Sequence, residues 1–468
     1  MYLLKEIEKY TEGKIVNGNP ETKLQKYCLT TDNHKKGEFF IPILFKNVNR
    51  EEFIIDSVKD GAIGFMINKN SEQYIQIVEQ VQKINPNICI VEVEDVNQAV
   101  YQLGLESRRR NKDKPIIAVT GSVGKTTLCS LISNVLKTEI KVLHDFENRN
   151  QNTRWHVSQL LMYFENYDMA VIELGISDKG IMTQLSKLVE PSIAVINNIG
   201  MAHINNLKNK ETVLEEKLHI TDCIKDKKIL FVNTNDEYLQ SVKKSDSYEL
   251  REYNSQEAYD IKEENGKLSF KIKIYGKETE FHLNLYGRHH ISNIALAIKI
   301  GEIYHIRYEN IVDAINQFQP VDGRLKVLKN DKRNIIVIDD AYSCSSIEAV
   351  KLGLETANKM PSQRKIAVLG RMEALGEQAT AMHEELGAVF QELNFDYLYT
   401  TGGYKKQLAK GATKAFEEGK IRKFKTTEKL IKALDEEIKD GDLIFVKGAN
   451  IQCFDRIVEV MKEKYEVG

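Results

Sequence analysis

A glycine-rich turn carrying one lysine and two threonines is the segment with the clearest capacity for chemistry. Its residues are Gly121, Ser122, Val123, Gly124, Lys125, Thr126 and Thr127. Glycines let backbone N–H groups converge on phosphate oxygens, and a helix that starts here adds the positive end of its dipole. Lys125 can neutralise charge between terminal phosphates, and the Thr126 hydroxyl can ligate Mg²⁺. The segment therefore predicts a loop that binds the phosphates of a ligand.

This turn keeps only part of the general phosphate-loop pattern. The first glycine of GxxxxGK[ST] would fall at position 119, which is valine, so Gly-x-x-Gly-Lys-Thr remains. A turn of this composition that arose by chance is the alternative. An apolar run before the turn, and a helix-like stretch from Thr127 to Leu136 after it, favour the phosphate loop.

Three further residues offer metal-binding or acid–base groups near predicted strand ends. Glu173 ends one apolar run, and His203 follows another. A carboxylate at the carboxyl end of a strand beside a phosphate loop can hold a hard cation. An ordinary strand-end acid and an exposed loop histidine are the alternatives. For Lys217, spacing alone favours a solvated helix lysine.

The elements that must position these residues follow an α/β order. Runs of consecutive apolar residues near 116, 169, 193 and 229 are typical of parallel strands covered on both faces. Helix-like stretches, such as Lys210 to Ile224, separate them. The order predicts a doubly wound parallel sheet. From Glu249 to Tyr286 the residues instead alternate around Asn265-Gly266, which predicts an antiparallel insert.

A chain of 468 residues exceeds one hydrophobic core, and the pattern predicts an α/β protein of three domains. Residues 1–110 form a small α/β domain, 111–321 a central domain with the phosphate loop and the antiparallel insert, and 322–468 a Rossmann-like α/β domain. In the first domain, Glu38–Phe45 and Ile88–Val93 are strand-like. Its charged end, Glu106–Lys114, suits a domain junction or a solvated helix end equally well.

Composition excludes several classes of protein. The net charge is −2, so no bulk charge points to nucleic acid or to an anionic membrane. Six scattered cysteines without metal-ligand spacing indicate reduced thiols. Acidic residues near the N-terminus and the lack of a long apolar run argue against a signal peptide or a membrane span. We expect a cytoplasmic monomer that acts on small molecules.

Ten segments of the chain resemble the Mur ligases, ATP-dependent enzymes that form amide bonds in peptidoglycan synthesis. They occur in family order across roughly three quarters of the chain, so coincidence is implausible. The segments are Thr120–Thr127, Glu173–Gly175, Pro191–His203, Glu215–Lys217, Gly287–Asn293, Asp322–Leu325, Val337–Tyr342, Val368–Glu377, His383 and Val446–Gly448. Within the family, the chain looks most like the members that add D-alanyl-D-alanine.

The resemblance implies roles for the metal-side residues. The residues matching Glu173 and His203 help bind a second Mg²⁺ in the family, and the lysine matching Lys217 is carbamylated by CO₂. The amine must lose its proton for this, so burial or a nearby cation should lower the pKa of Lys217. Lys125, Glu173, His203 and Lys217 are the implied catalytic set, and Thr126 joins the last three as the implied metal ligands.

The resemblance also implies nucleotide contacts from two domains. Asn293 matches an asparagine that contacts adenine, with a helix cap as the alternative. Arg324 would meet phosphate and Asp340 the ribose, and Tyr342 would lie against the nucleotide or pack in the core. Closure of the third domain over ATP would then be needed for catalysis. Lys447 and the loop from Gly370 to Glu377 are candidate contacts for the amine.

The implied reaction runs through an acyl phosphate, and its substrates stay open. The first domain departs from the family: Thr30–His34 replaces an Asp-Ser-Arg segment, and Phe45–Glu51 lacks a glycine and a histidine. Residues 147–154 keep Asn148 and Asn150 but add arginines that could grip another anionic substrate or be solvated. A D-alanyl-D-alanine-adding ligase, a paralogue joining another carboxylate and amine, and a regulator without turnover remain possible. The related folylpolyglutamate synthetases match less well.

Overall fold

The computed structural model describes residues 1–30, 35–44, 48–144, 153–200, 204–264, 267–283 and 285–468. Within these ranges three α/β regions follow one another, each built on its own main sheet. The predicted fold class is confirmed, whereas the three domain bounds stay a prediction. None of the helices in the described ranges is long and apolar enough to cross a membrane.

The first region is a five-stranded mixed sheet with helices against it. Its elements are β1 (Tyr2–Leu3), α1 (Leu4–Thr11), β2 (Lys14–Asn17), β3 (Lys23–Leu24), β4 (Tyr27–Cys28), β5 (Phe39–Phe40), α2 (Ile54–Lys59), β6 (Gly64–Asn68), α3 (Tyr74–Ile84), β7 (Cys89–Val93) and α4 (Val96–Arg110). The sheet order is β2-β7-β6-β5-β4, and only β2 pairs antiparallel. The predicted strand at 38–45 is wrong in extent, since pairing is limited to two residues.

The charged segment at the end of α4 is solvated only in part, since Arg109, Lys112 and Asp113 are exposed whereas Arg108 is buried. Arg108 is only 2% exposed and donates to the carbonyls of Asn111, Lys114 and Glu190. Glu106 is also buried, and it accepts from the guanidinium groups of its neighbours along the helix. A buried guanidinium is tolerated here because carbonyl oxygens accept from its two Nη atoms and the Glu190 carboxylate lies 3.6 Å from its Nε. These contacts join α4 to the central region.

The central region contains the main parallel sheet and a separate antiparallel sheet. Its elements are β8 (Ile116–Thr120), α5 (Lys125–Lys137), β9 (Val142–Leu143), α6 (Arg154–Leu161), β10 (Met169–Glu173), α7 (Ile181–Val189), β11 (Ile193–Ile196), α8 (Ile204–Leu207), α9 (Lys210–Leu218), β12 (Ile229–Asn233), β13 (Glu249–Tyr253), β14 (Tyr259–Glu264), β15 (Lys267–Ile274), β16 (Lys277–Leu283), α10 (His289–Ile303) and α11 (Tyr308–Asn316).

The main sheet has the order β13-β12-β11-β8-β10-β9 and is parallel throughout. Apart from the edge strand β13, its strands are buried on both faces, because one hydrophobic cluster lies on each side of the sheet. Full burial explains the continuous apolar runs in the sequence. The carboxyl ends of β8, β10 and β11 lie side by side, which brings the phosphate loop next to Glu173.

The antiparallel insert begins later in the chain than the sequence predicts. Residues Glu249–Tyr253 form β13, which pairs parallel to β12 at the edge of the main sheet. The antiparallel sheet begins only with β14 and has the order β14-β15-β16. Alternation misleads here because an edge strand exposes one side, so its residues alternate as they do in a hairpin. The predicted turn at 265–266 lies outside the described residues.

The third region is a six-stranded sheet covered by helices on both faces. Its elements are β17 (Lys326–Asn330), β18 (Ile335–Asp340), α12 (Ile347–Lys359), β19 (Arg364–Leu369), α13 (Ala379–Ala388), β20 (Tyr397–Thr400), α14 (Lys405–Ala412), β21 (Ile421–Lys423), α15 (Thr427–Glu437), β22 (Asp442–Lys447) and α16 (Asp455–Tyr465). The order is β17-β18-β22-β19-β20-β21, with β17 alone antiparallel. Two clusters form its core.

Candidate active site

The glycine-rich turn joins β8 directly to α5. Gly124 precedes the helix with a φ of 77°, a left-handed conformation that favours glycine because a Cβ would be strained there. The first N–H groups of an α-helix have no partner within the helix and carry the positive end of its dipole. The start of α5, from Lys125 onward, therefore offers donors to an anion.

The side chain of Asn198 braces this turn from the neighbouring strand end. Its Oδ1 accepts from the N–H groups of both Ser122 and Val123, each at 2.8 Å, and its Nδ2 donates to the Val123 carbonyl at 2.8 Å. The amides of Ser122 and Val123 are thus engaged within the protein, whereas the helix start is not. Asn198 follows β11, which neighbours β8 in the sheet, and this adjacency is the signal that could have identified it.

Four predicted residues converge beside the turn. Glu173 Oε2 accepts from the Thr126 hydroxyl at 2.7 Å, and its Oε1 lies 3.7 Å from Lys125 Nζ. Lys217 Nζ lies 3.5 Å from the hydroxyl oxygen of Thr120 at the end of β8. Glu173 is 6% exposed, so its carboxylate is held out of bulk solvent next to the Lys125 ammonium.

Lys217 is a buried lysine and not a solvated one. Although it lies on α9, a helix of mostly polar residues, its side chain is only 2% exposed. Burial, reinforced by the Lys125 ammonium, holds the pKa of Lys217 well below its usual range. Glu216 is engaged elsewhere, since it accepts from the N–H groups of Gly180 and Met182 around the start of α7.

A second charged group comes from the start of the third region. Asp340, at the end of β18, accepts from Lys447 Nζ at 2.5 Å, and both side chains are buried. The guanidinium of Arg324 lies over the ring of Tyr342, 4.5 Å from its centre. Arg324 is also close enough to Asp340 to lower its pKa, against the larger opposing effect of burial.

A cavity of about 1040 Å³ unites these groups between the central and third regions. Its walls include almost all of the predicted site residues that the structure describes: Gly121, Ser122, Val123, Gly124, Lys125, Thr126, Thr127, Glu173, Lys217, Asn293, Arg324 and Asp340. Tyr342 is not among the lining residues and contacts Arg324 instead. His203 lies outside the described residues, as do Asn148 and Asn150.

The cavity also contains a histidine pair to which the sequence analysis gave no role. The rings of His289 and His290 are in contact, with centres 4.1 Å apart and planes tilted by 38°. Burial lowers the pKa of His289 to about 4 and that of His290 well below its usual range. Their Nδ1 atoms have no hydrogen-bond partner among the described residues. Asn293 is buried one turn inside α10, so it does not cap the helix.

Of the other lining residues, Arg154 and Arg371 lie in segments already predicted as substrate contacts, whereas Trp155 and Tyr404 had no assigned role. Arg154 and Trp155, at the start of α6, reach the cavity, and the guanidinium of Arg154 lies 5.7 Å from the centre of the indole ring. From the third region, Arg371 and Tyr404 line the wall. No local spacing marks these residues, because each reaches the cavity only through the tertiary fold.

The donor set beside the turn suits a hard cation. The Thr126 hydroxyl and the Glu173 carboxylate are adjacent oxygen ligands, and Mg²⁺ in phosphate sites uses one or two protein oxygens with phosphate and water. No cluster of three His, Cys, Asp or Glu residues that could hold a metal occurs within the described ranges.

Two family models match the chain. The Mur ligase middle domain matches residues 119–301, and the domain described as "Mur ligase, glutamate ligase domain" matches residues 323–450. The UDP-N-acetylmuramoyl-tripeptide--D-alanyl-D-alanine ligase of Bacillus subtilis (strain 168) is 27% identical over 462 residues, which cover 98% of each chain.

Solved structures share the fold along the whole chain. MurF from Acinetobacter baumannii has a TM-score of 0.79 with 21% identity, covering 99% of both chains. MurF ligase from Thermotoga maritima in complex with ADP has a TM-score of 0.72 with 23% identity, covering 94% of this chain and 98% of that one. With its phosphate-loop cavity and both family domains in order, the chain belongs to the Mur ligase family.

Proposed function

We propose that this protein is an ATP-dependent ligase that adds D-alanyl-D-alanine to UDP-N-acetylmuramoyl-tripeptide through an acyl phosphate, releasing ADP and phosphate. The main support for this proposal is the shared cavity, in which a phosphate loop with buried acid and lysine groups faces charged residues from the third region. Full-length similarity to relatives named for this activity supports the choice of substrates. The domain bounds, monomeric state and cytoplasmic location stay predictions.

The nucleotide would lie along the start of α5. The backbone donors of Gly124 to Thr127 and the Lys125 ammonium are arranged to hold its phosphates, while Ser122 and Val123 keep the loop in shape through Asn198. The buried Nδ1 atoms of the two histidines could exchange hydrogen bonds with the base, beside Asn293. Arg324 and Asp340 would reach the nucleotide from the other wall.

Magnesium would be held by Thr126 and Glu173, and His203 is a predicted further ligand. When bound, it would neutralise charge on the phosphoryl group in transfer. We propose that Lys217 is carbamylated: its neutral amine attacks CO₂ and releases one proton, which leaves an anionic oxygen ligand in place of a cation. The lowered pKa of Lys217 favours the amine form that this step needs.

The proposed reaction has two steps, and the charged groups around the cavity assist the first of them. The tripeptide carboxylate attacks the γ-phosphate of ATP, and Lys125 stabilises the charge that develops on the transferred group. The resulting mixed anhydride is reactive, and the dipeptide amine attacks its carbonyl carbon to form the amide and expel phosphate. No nucleophilic serine or cysteine is needed, because the γ-phosphate itself activates the carboxylate.

Phosphate release from ATP and Mg²⁺, with the tripeptide nucleotide and D-alanyl-D-alanine supplied singly and together, tests the proposal. We expect release only with both, and a product heavier than the acyl substrate by the added dipeptide less water. Binding of ATP without turnover of this pair would contradict it and favour a paralogue acting on another carboxylate and amine. Thr30–His34 and residues 147–154 differ from the family pattern, so this second outcome would point to a change of substrate.

A further inference from the structure

The loop that follows β19 is tied down at four successive backbone amides. The Gly370 N–H donates to the Lys447 carbonyl at 2.8 Å, and the Glu373 N–H to the Cys344 carbonyl at 2.9 Å. Between them, the Arg371 N–H donates to Gln452 Oε1 at 2.8 Å and the Met372 N–H to His383 Nε2 at 2.9 Å. Acceptors from four separate segments thus fix this stretch of backbone.

Gln452 joins the loop to its neighbours. While Oε1 accepts from Arg371, Nε2 lies 3.4 Å from the Thr401 carbonyl at the end of β20. Gly402 leaves room for this amide: a Cβ there would lie 2.5 Å from Nε2. Gln452 follows β22, so one side chain connects the carboxyl ends of three strands.

His383 fixes the same loop by accepting from the Met372 N–H. It is fully buried on α13, and its Nδ1 lies 2.6 Å from the Ala379 carbonyl, so Nδ1 carries the proton and Nε2 is free to accept. Its ring stacks on Tyr404 with centres 4.5 Å apart. Tyr404 lines the cavity, whereas His383 does not.

The fixed loop presents one cationic side chain to the cavity. Among the described lining residues of the third region the cations are Arg324, Arg371 and Lys447. Lys447 is buried against Asp340, and Arg324 lies on the ring of Tyr342. Arg371 is 38% exposed, and its nearest acid, Glu373, lies 3.5 Å away and is 42% exposed. Such an exposed pair is weak and can exchange partners.

We propose that Arg371 binds the carboxylate of the incoming amine substrate, and that Gln452 and His383 are positioning residues that fix it. This inference rests on the proposed function, since D-alanyl-D-alanine keeps one carboxylate when its amine reacts. A guanidinium matches a carboxylate with two parallel hydrogen bonds, and a rigid backbone lowers the entropy lost on binding. Arg371 thereby selects substrates with a free carboxyl end.

Steady-state kinetics of Arg371→Met with D-alanyl-D-alanine and its C-terminal amide test the assignment of Arg371. We expect the KM for the dipeptide to rise about 10- to 100-fold, as loss of a charged hydrogen-bonded pair implies. The KM for ATP and for the amide should not change. Arg333→Met is the matched control, because Arg333 is 40% exposed and pairs with Asp440 outside the cavity.

Equal effects on the dipeptide and its amide, or no effect on either, would overturn the role of Arg371 and leave the proposed function standing. Failure of the wild-type protein to turn over the dipeptide would instead contradict the proposed function, and this assignment with it. The two failures are distinguishable because the second is visible before any variant is made.

Two variants of Gln452 test its positioning role. Gln452→Leu removes the side-chain hydrogen bonds with Arg371, Ala449 and Thr401, whereas Gln452→Glu keeps the acceptor for the Arg371 N–H and loses the donor to Thr401. We expect the KM for the dipeptide to rise about tenfold in the first and less in the second, with the KM for ATP unchanged. Gln391→Leu, on an exposed turn, is the control. A lowered melting temperature with an unchanged KM would show a merely structural residue.

Discussion

The two walls of the cavity are held in different ways. On the phosphate side, Lys125, Lys217 and Glu173 place two amines and one carboxylate in a buried space, next to helix N–H groups without partners in the helix. On the opposite wall, the loop after β19 has its amides satisfied by neutral side chains and carbonyls.

This difference separates two uses of buried polar groups. Buried charges without full pairing lower the stability of the folded protein until an anionic ligand binds. The phosphate side is therefore suited to binding and chemistry but contributes less to stability. Satisfied hydrogen bonds cost little and fix geometry, so the loop side supplies rigidity. Substitutions on the first wall should affect turnover, and substitutions on the second should affect KM and stability.

The largest effect should come from Lys125→Ala. Loss of its ammonium removes the charge that stabilises the transferring phosphoryl group, and we expect kcat to fall by about 10³-fold. Stability should fall only slightly, because the buried Glu173 loses its ion pair with Lys125 but still accepts from the Thr126 hydroxyl. Phosphate release and thermal unfolding together check this. A large fall in melting temperature would contradict the expectation that substitutions on the phosphate wall affect turnover more than stability.

Removal of CO₂ should have the next largest effect. If Lys217 is carbamylated, turnover should fall in CO₂-depleted buffer and return with bicarbonate, and ¹³C-bicarbonate should give a carbamate NMR signal. The activity of Lys217→Ala should be about 10²-fold lower and should not change when bicarbonate is added. Lys187→Ala, on the exposed side of α7, is the control. Full activity with an unmodified lysine in CO₂-free buffer would rule out the carbamate.

Asn198→Ala should have an intermediate effect, since Asn198 is a neutral brace within the charged wall. Without its amide oxygen, the Val123 N–H loses its acceptor and the Ser122 N–H keeps only the Asn198 carbonyl at 3.2 Å. We expect the Kd for ATP, measured by calorimetry, to rise about tenfold. Asn310→Ala is a suitable control, because Asn310 binds Glu139 away from the cavity. An unchanged Kd would mean that the loop keeps its shape without the brace.

The smallest effect should be a pH dependence of stability from His383. Burial, and to a lesser degree the nearby Arg371 charge, lower its pKa below the ordinary 6.5, because the neutral ring is the form that accepts from Met372. Its contribution, on the order of 1 kcal/mol, should be present above pH 6.5 and lost as pH falls through the lowered pKa.

Chemical unfolding of the wild type and His383→Ala at several pH values checks this sign. The difference in unfolding free energy should be largest at neutral pH and shrink on acidification. A difference that grows toward low pH would mean that the protonated ring is the stabilising form.

The phosphate wall could be predicted from the sequence because its residues follow a local pattern. Lys125 and Thr126 lie in one turn, and Glu173 ends an adjacent strand, so spacing and strand order bring them together. The role of Lys217 needed the family resemblance, since burial of one polar-helix lysine depends on the packing of α9. The parallel pairing of β13 was missed because an exposed edge strand alternates like a hairpin.

The loop wall could not be predicted in the same way. Gln452 lies 81 positions after Arg371, and no spacing rule links an amide oxygen to a distant backbone N–H. His383 lies in a segment matched by resemblance, but its contact with Met372 depends on how α13 packs beneath the sheet. Neutral hydrogen bonds between remote elements leave no signature in composition or periodicity.

Trp155 gives this enzyme a built-in optical probe. It is the single tryptophan of the chain, and it lies in the cavity wall beside the guanidinium of Arg154. Excitation at its absorption band therefore reports on one place only. Titration of ATP and then of each substrate, followed by emission intensity and wavelength, would give the order of binding without any label.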